Sequence, residues 1–272
     1  MTRFVMIVLL ALAGGVGADL RVVDDSGRTV ALDTPARRIV ALAPHAAELV
    51  HAAGAGDRLV GVSAGTEVTG LAPDAVVVGM AGSIDRERLL LLAPDLVVAW
   101  QTGNHPTDLA WLTAHGIPVY VTEPASLAAI GDAIRDLGVL AGAPGPAAAA
   151  ASAFDAAVAG TCADAAPRKV FVVVWERPLL SLGGRHWIND VLAHAGLRNV
   201  FAGIDRGVMA VSPEVALANA ALPRISLIRR SDDGIEDRLA GLMSRPGPRL
   251  AEAVALLCSW RAQGPHGTET SR

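Results

Sequence analysis

Basic charge is scarce in this sequence, and long apolar runs are scarcer. The 272-residue chain has a formal net charge of −4, so it has no basic face to neutralise phosphates. Nucleic acid is thereby excluded as its main partner. Only the N-terminus could enter a membrane. Arg3 supplies a positive charge, residues 4–13 are apolar, and Val16-Gly17-Ala18 has the small side chains of a cleavage site. The run is too short to span a bilayer, so residues 1–18 read as a secretory signal peptide cut before Asp19. No cysteine follows the cut, so no lipid anchor is expected. The mature chain is expected to be soluble, exported and retained in a periplasm. Cysteine occurs twice, at Cys162 and Cys258. Export places both where a disulfide is permitted, but the sequence does not pair them, and two separate buried thiols fit equally well. The chain is also not poor in apolar residues: 52% are hydrophobic, many of them Ala, which allows a sizeable core and excludes a disordered chain.

What is present is an alternation of short apolar runs with helical segments. Strands are predicted over 38–42, 59–62, 75–78, 96–99, 117–121, 170–174 and 224–228. Helices are predicted from Pro44, over 86–92, 108–114, 126–140, 147–159 and 186–195, from Ser212, and over 249–261. Gly142-Ala143-Pro144-Gly145-Pro146 reads as a break. This rhythm implies parallel βαβ units. The expected fold class is α/β, with two Rossmann-like lobes over 19–143 and 167–272 joined by a single long helix within 144–166.

One stretch, 84–104, concentrates the functional signals. Asp85 is a good N-cap, Ala93-Pro94-Asp95 stops the helix, and the run that follows fits a strand covered on both faces. Trp100, Gln101 and Asn104 come at its carboxyl end, where open α/β sheets bind ligands. The second lobe offers a loose counterpart: Trp175 also follows a buried strand, and Ser212-Pro213-Glu214 opens an exposed helix as Asp85-Arg86-Glu87 does. Either Trp alone could cap the core. The pair, one per lobe, favours a cleft that sandwiches a flat ligand. Glu87 and Glu214 are first-turn acids that complement the helix dipole.

Two other chemistries have partial motifs. Gly61-Val62-Ser63-Ala64-Gly65 matches a hydrolase nucleophile elbow, which needs a helix directly after Ser63. The following residues contain Gly70 and Pro73 and no helical pattern. His45 follows a strand and could hold a metal, but a metal needs three or four converging ligands. His105, His115 and His186 have no recognisable spacing with it.

Several stretches together carry a family resemblance. They are Arg38-Ile39-Val40-Ala41-Leu42-Ala43-Pro44-His45-Ala46-Ala47-Glu48-Leu49, Val60-Gly61-Val62-Ser63, Glu87-Arg88 with Pro94-Asp95-Leu96-Val97-Val98-Ala99-Trp100, Val170-Phe171 before Trp175, and Asn199-Val200-Phe201 followed by Val211-Ser212-Pro213-Glu214. In order, over most of the mature chain, the sequence resembles the periplasmic binding proteins of vitamin B12 importers, within the wider iron-siderophore and B12 receptor superfamily. The resemblance implies two rigid lobes clamping a ligand between strand ends. It also implies that Glu87 and Glu214 dock onto arginines of an ABC importer permease. It implies a receptor for cobalamin or a related corrinoid, with no catalysis, no resident cofactor and no metal, acting as a monomer.

The expected ligand-binding set is Pro44, His45, Gly65, Ala81, Trp100, Gln101, Asn104, Trp175, Arg177 and Val208. Gly65, Ala81 and Val208 stand where B12 binders carry aromatics, and none of them can stack. Between Ile228 and Pro248 the second lobe is shorter than in relatives, which have a further strand and aromatic there. Cys258 matches the family's C-terminal cysteine. The family's usual partner, near the helix end before Gly196, is missing, and His194 is in that region. The resemblance therefore implies a substitute bridge from Cys162 to Cys258. Within the superfamily the alternative is a haem or ferric-siderophore receptor, for which Arg177 and Arg206 are the candidate cations. Outside it, the alternative is a secreted serine hydrolase using Ser63.

Overall fold

The structure, a computed structural model, describes residues 20–67, 70, 72–80, 82–159, 162, 166–229 and 234–263. The expected leader over 1–18 and the candidate residue Ala81 lie outside the described residues. A lead-in hairpin, β1 (Leu20–Val23) and β2 (Thr29–Leu32), comes first. Asp24 closes its turn by accepting the backbone N–H of Ser26 and of Arg28, each at 3.0 Å, and Gly27 supplies the positive φ of 79° that the turn requires.

The first lobe then alternates β3 (Ile39–Ala41), α1 (Pro44–Val50), β4 (Leu59–Val62), β5 (Val76–Val77), the short antiparallel pair β6 (Gly79–Met80) and β7 (Ser83–Ile84), α2 (Arg86–Leu91), β8 (Leu96–Trp100), α3 (Pro106–Ala114) and β9 (Val119–Thr122). The main sheet has the order β5-β4-β3-β8-β9, and every pair in it is parallel. The all-apolar runs of β3 and β8 lie at its centre because both faces there are covered. The stop after α2 works as its residues require: Ala93 takes a φ of 42°, and Asp95 accepts the N–H groups of Arg37 and Arg38 at 2.8 and 2.9 Å, pinning the entry to β3.

After α4 (Leu127–Leu140) completes the first lobe, α5 (Pro144–Ala159) leads to the second. The expected break at 142–146 is shorter than predicted. Pro144 and Pro146 lie inside the first turn of α5, where a missing N–H costs nothing. The two helices pack closely, since a Cβ on Gly138 would lie 2.0 Å from that of Ala147.

The second lobe contains β10 (Arg168–Val173), β11 (Trp175–Glu176), β12 (Leu179–Leu182), α6 (Ile188–His194), β13 (Leu197–Asn199), β14 (Val208–Ala210), α7 (Pro213–Ala218), β15 (Arg224–Ser226), α8 (Ile235–Leu242) and α9 (Leu250–Gln263). Its parallel sheet has the order β13-β10-β15, and a separate antiparallel sheet, β11-β12-β14, stands beside it. That second sheet was not expected.

The lobes share material. One apolar cluster runs from Val22 and Leu49 through Ile134, Ala147 and Phe154 to Val170, Leu257 and Trp260. Polar ties cross between them as well. Glu48 on α1 accepts from Arg245 Nε at 2.9 Å and Arg249 Nε at 3.1 Å, both from the segment around the start of α9. Leu127 N–H donates to Asp190 on α6 at 2.7 Å. The Cys162–Cys258 disulfide joins the exit of α5 to α9, with a Cα–Cα distance of 5.7 Å. Among the described residues no helix is long and apolar enough to cross a membrane.

Candidate functional site

Parallel pairing puts the carboxyl ends of β3, β4, β8 and β9 at one end of the first sheet, and those of β10, β13 and β15 at one end of the second. Most of the residues singled out from the sequence stand there. Trp100, the last residue of β8, is half-buried, and its ring lies directly on Gly103. A Cβ at Gly103 would sit 1.8 Å from Trp100 Cε3, so only glycine leaves room for the ring. His45, at the start of α1, meets Trp100 edge-on, with centroids 5.1 Å apart and an interplanar angle of 86°.

Asn104 clips the two strand ends together. Its Oδ1 accepts the Trp100 N–H at 2.7 Å and its Nδ2 donates to the Leu42 carbonyl at 3.1 Å. The amide is buried and committed to backbone, so it acts on Trp100 and not in open space. His45 is also wholly buried. Burial, with a further push from Arg245, lowers its pKa to about 4, so the imidazole is neutral at ordinary pH. Neither of its ring nitrogens has a hydrogen-bond partner among the described residues, and nor has Trp100 Nε1. Pro44 opens α1 half-buried, and Gly65 is exposed with a φ of 81°. Gln101 is exposed and lines a cavity of about 270 Å³ with Ser26, Arg28, Pro106, Leu109 and Val121, apart from the His45–Trp100 pair.

In the second lobe Trp175 is 56% exposed, so it is the freer of the two rings. Its Nε1 donates to the Arg177 carbonyl at 2.9 Å, which holds the ring edge against its own turn and leaves a face open. Trp175, Glu176, Arg177 and Ile228 line a cavity of about 250 Å³. Val208, on β14, is exposed in the same antiparallel sheet as Trp175. That sheet positions both residues, and two- to four-residue strands carry no periodic signal from which to predict it.

Glu87 and Glu214 are exposed, each the second residue of its helix. Asp85 caps the first helix by accepting the Arg88 N–H at 3.0 Å, and Ser212 caps the second by accepting the Val215 N–H. The Ser212 hydroxyl also bonds the Glu214 carboxylate and holds its pKa below the usual carboxylate value. Ser63 is buried at the end of β4, and its hydroxyl lies 3.4 Å from that of Thr66. The described residues after it, 64–67, 70 and 72–75, form no helix, so the elbow geometry is not present. Among the described residues no group of three or more His, Cys, Asp or Glu could hold a metal.

Two parallel α/β lobes bridged by helices, with an aromatic ring at a strand end of each, define a helix-linked, two-lobed solute-binding protein. The chain belongs to the periplasmic binding protein family, whose model matches residues 39–255. It is 31% identical over 246 residues to the vitamin B12-binding protein of Vibrio cholerae, covering 83% of this chain and 89% of that one. The crystal structure of the periplasmic vitamin B12 binding protein of Vibrio cholerae superposes with a TM-score of 0.67 at 30% identity, covering 83% of this chain and 96% of that one. A periplasmic haem-binding protein from Pseudomonas aeruginosa shares the fold, with a TM-score of 0.63 at 24% identity over 86% of this chain and 96% of that one.

Proposed function

We propose that this chain, exported to the periplasm after cleavage near Ala18, captures cobalamin or a related corrinoid between its lobes. It then delivers the ligand to the permease subunits of an ABC importer in the inner membrane, and it performs no chemistry itself. The observation that carries the reading is the 31% identity to a vitamin B12-binding protein along nearly the whole chain. A planar macrocycle suits the site: Trp175 offers an open face and Trp100 a half-buried one. Gly65 and Val208 are exposed and, with Ala81, belong to the proposed binding set. Pro44 and Arg177 provide the rim, while His45 and Asn104 act through Trp100; Gln101 lines the separate cavity beside the lead-in hairpin and is not part of that rim. Glu87 and Glu214, one per lobe, are the docking posts for the permease, and the lobe limits are 19–143 and 167–272.

Titration of the purified protein with cyanocobalamin, cobinamide, haem and a ferric siderophore, followed by tryptophan fluorescence, tests the ligand class. Saturable quenching by the two corrinoids at a 1:1 ratio supports it. Saturation by haem alone would transfer the site to the second reading, a haem receptor. The observation favouring that reading is Arg177, a cation in the same cavity as Trp175 and so able to pair with a carboxylate on a flat ring.

A further inference from the structure

Trp175 is the open ring of the second lobe, and Arg177 stands two residues further along the same turn. The two are tied through the backbone. The indole Nε1 donates to the Arg177 carbonyl at 2.9 Å, so the main chain fixes the ring edge and the Arg177 side chain takes no part in that bond. Arg177 is exposed, and its guanidinium makes no hydrogen bond or ion pair among the described residues. Other arginines of the lobe are engaged. Arg185 pairs with Asp205 at 3.1 Å, Arg229 pairs with Asp237 at 3.5 Å, and Arg224 lies over the Phe171 ring. An uncommitted cation and an open aromatic face line one cavity of about 250 Å³. That combination suits a ligand that is flat in one part and anionic in another.

The charge of the cavity limits which anion fits. Glu176 lines it too, so the formal charges of Glu176 and Arg177 cancel before a ligand enters. One negative charge suits such a site. The two carboxylates of haem would leave it with an excess of negative charge. A complete corrinoid carries a single anionic group outside its ring, the phosphodiester of the nucleotide loop, while its ring arms end in neutral amides. Cobinamide has the same ring and amides but no phosphate. A phosphodiester presents two non-bridging oxygens, which a guanidinium meets with two parallel N–H bonds.

We infer that Arg177 binds the nucleotide-loop phosphate, so that the protein prefers a complete corrinoid to a precursor without the loop. The inference rests on the corrinoid reading above and adds to it the part of the ligand that is discriminated. Trp175 covers the ring, which all corrinoids share. Arg177 meets the one charged group that sets the complete ones apart. Because Arg177 is exposed, the preference is screened by salt, whereas stacking on Trp175 is not.

Calorimetric titration of the mature protein with cyanocobalamin, cobinamide phosphate and dicyanocobinamide tests this in wild type, Arg177→Gln and Arg177→Lys. Wild type is expected to bind the two phosphate-bearing ligands about fivefold or more tightly than dicyanocobinamide, and the ratio should shrink between about 50 and 500 mM NaCl. Arg177→Gln should erase the ratio by weakening the phosphate-bearing ligands alone. Dicyanocobinamide affinity should stay within about twofold and the melting temperature should hold, because Trp175 is anchored to backbone. Arg177→Lys keeps the charge and loses the fork, so it should retain part of the ratio. Equal weakening of all three ligands by Arg177→Gln would overturn the inference and make Arg177 a support for Trp175. A wild-type ratio that Arg177→Gln leaves intact would overturn it as well. Tight and equal binding of all three by wild type would remove the role of Arg177 and leave the corrinoid reading standing. Failure of wild type to bind any of them would overturn the corrinoid reading itself.

Discussion

At the scale of single residues, the site depends on small side chains as much as on rings. Gly103→Ala puts a Cβ inside the Trp100 ring, which must tilt away. Overpacking of this kind costs about 1–3 kcal/mol, and corrinoid affinity should fall with it. Trp175→Ala should differ: its ring is mostly exposed, so affinity should fall about tenfold or more while the melting temperature stays put. Thermal melts and titrations run side by side separate the two effects. Trp100 itself was expected as an open stacking face. It is instead seated against His45 and Gly103, so Trp100→Ala should lower both stability and affinity.

Two ionisable groups, the buried His45 and the half-buried Asp136, make stability depend on pH in opposite senses. His45 has a folded pKa of about 4 against 6.5 for the free side chain. Below pH 6.5 the unfolded chain binds a proton that the folded one refuses, so stability falls as pH drops from 6.5 to about 4, by roughly 3 kcal/mol in all. Asp136 works the other way. Burial, with Asp132 and Asp25 nearby, raises its pKa from 3.8 to about 6, against the pull of the Tyr120 hydroxyl, so its contribution weakens as pH rises through that window. His45→Phe should remove the acid-side decline. Asp136→Asn, which keeps an acceptor for Tyr120, should steepen it. Urea midpoints between pH 4 and 7 check both, and identical profiles for the two variants would refute the assignment.

At the scale of elements, the strongest ties are the ones that join distant parts of the chain. Glu48 holds two guanidinium groups from positions 197 and 201 residues away, with its side chain only 10% exposed. Removing one partner of a buried pair costs about 3–5 kcal/mol, so Glu48→Gln should lower the denaturation midpoint sharply, whereas Glu67→Gln, at an exposed carboxylate beside the same arginines, should cost under about 1 kcal/mol.

The sequence made local elements legible and distant pairings illegible. The helix-to-strand step from α2 to β8 could be read because Asp85 caps the helix and Ala93-Pro94-Asp95 ends it. The two lobes could be read because each apolar run is bounded by turn residues. The β11-β12-β14 sheet could not, because its strands are too short for a period to show. Prolines 144 and 146 read as a break because their tolerance in a first helical turn depends on where the helix begins. Nor could the seat of Trp100 on Gly103 be foreseen, since a glycine three residues after a tryptophan has many other uses.

At the scale of the whole molecule, the lobes are coupled by the α4–α5 pair, a shared apolar cluster and the Glu48 clasp. These ties among the described residues hold the lobes against each other, so the radius of gyration from small-angle scattering should be nearly the same with and without ligand. Reduction of Cys162–Cys258 should lower stability without abolishing binding. The bridge closes a loop of 96 residues, whose constraint in the unfolded chain is worth up to about 4–5 kcal/mol. Denaturation with and without reductant measures it.

Equilibrium dialysis against cyanocobalamin tests whether the cleft takes a corrinoid, because the ligand's own absorbance reports occupancy. One cyanocobalamin is expected per wild-type chain, not displaced by a tenfold excess of haem, with binding weakened about tenfold or more in Trp175→Ala. Absence of retained cyanocobalamin, or its full displacement by haem, would rule out a corrinoid as the ligand.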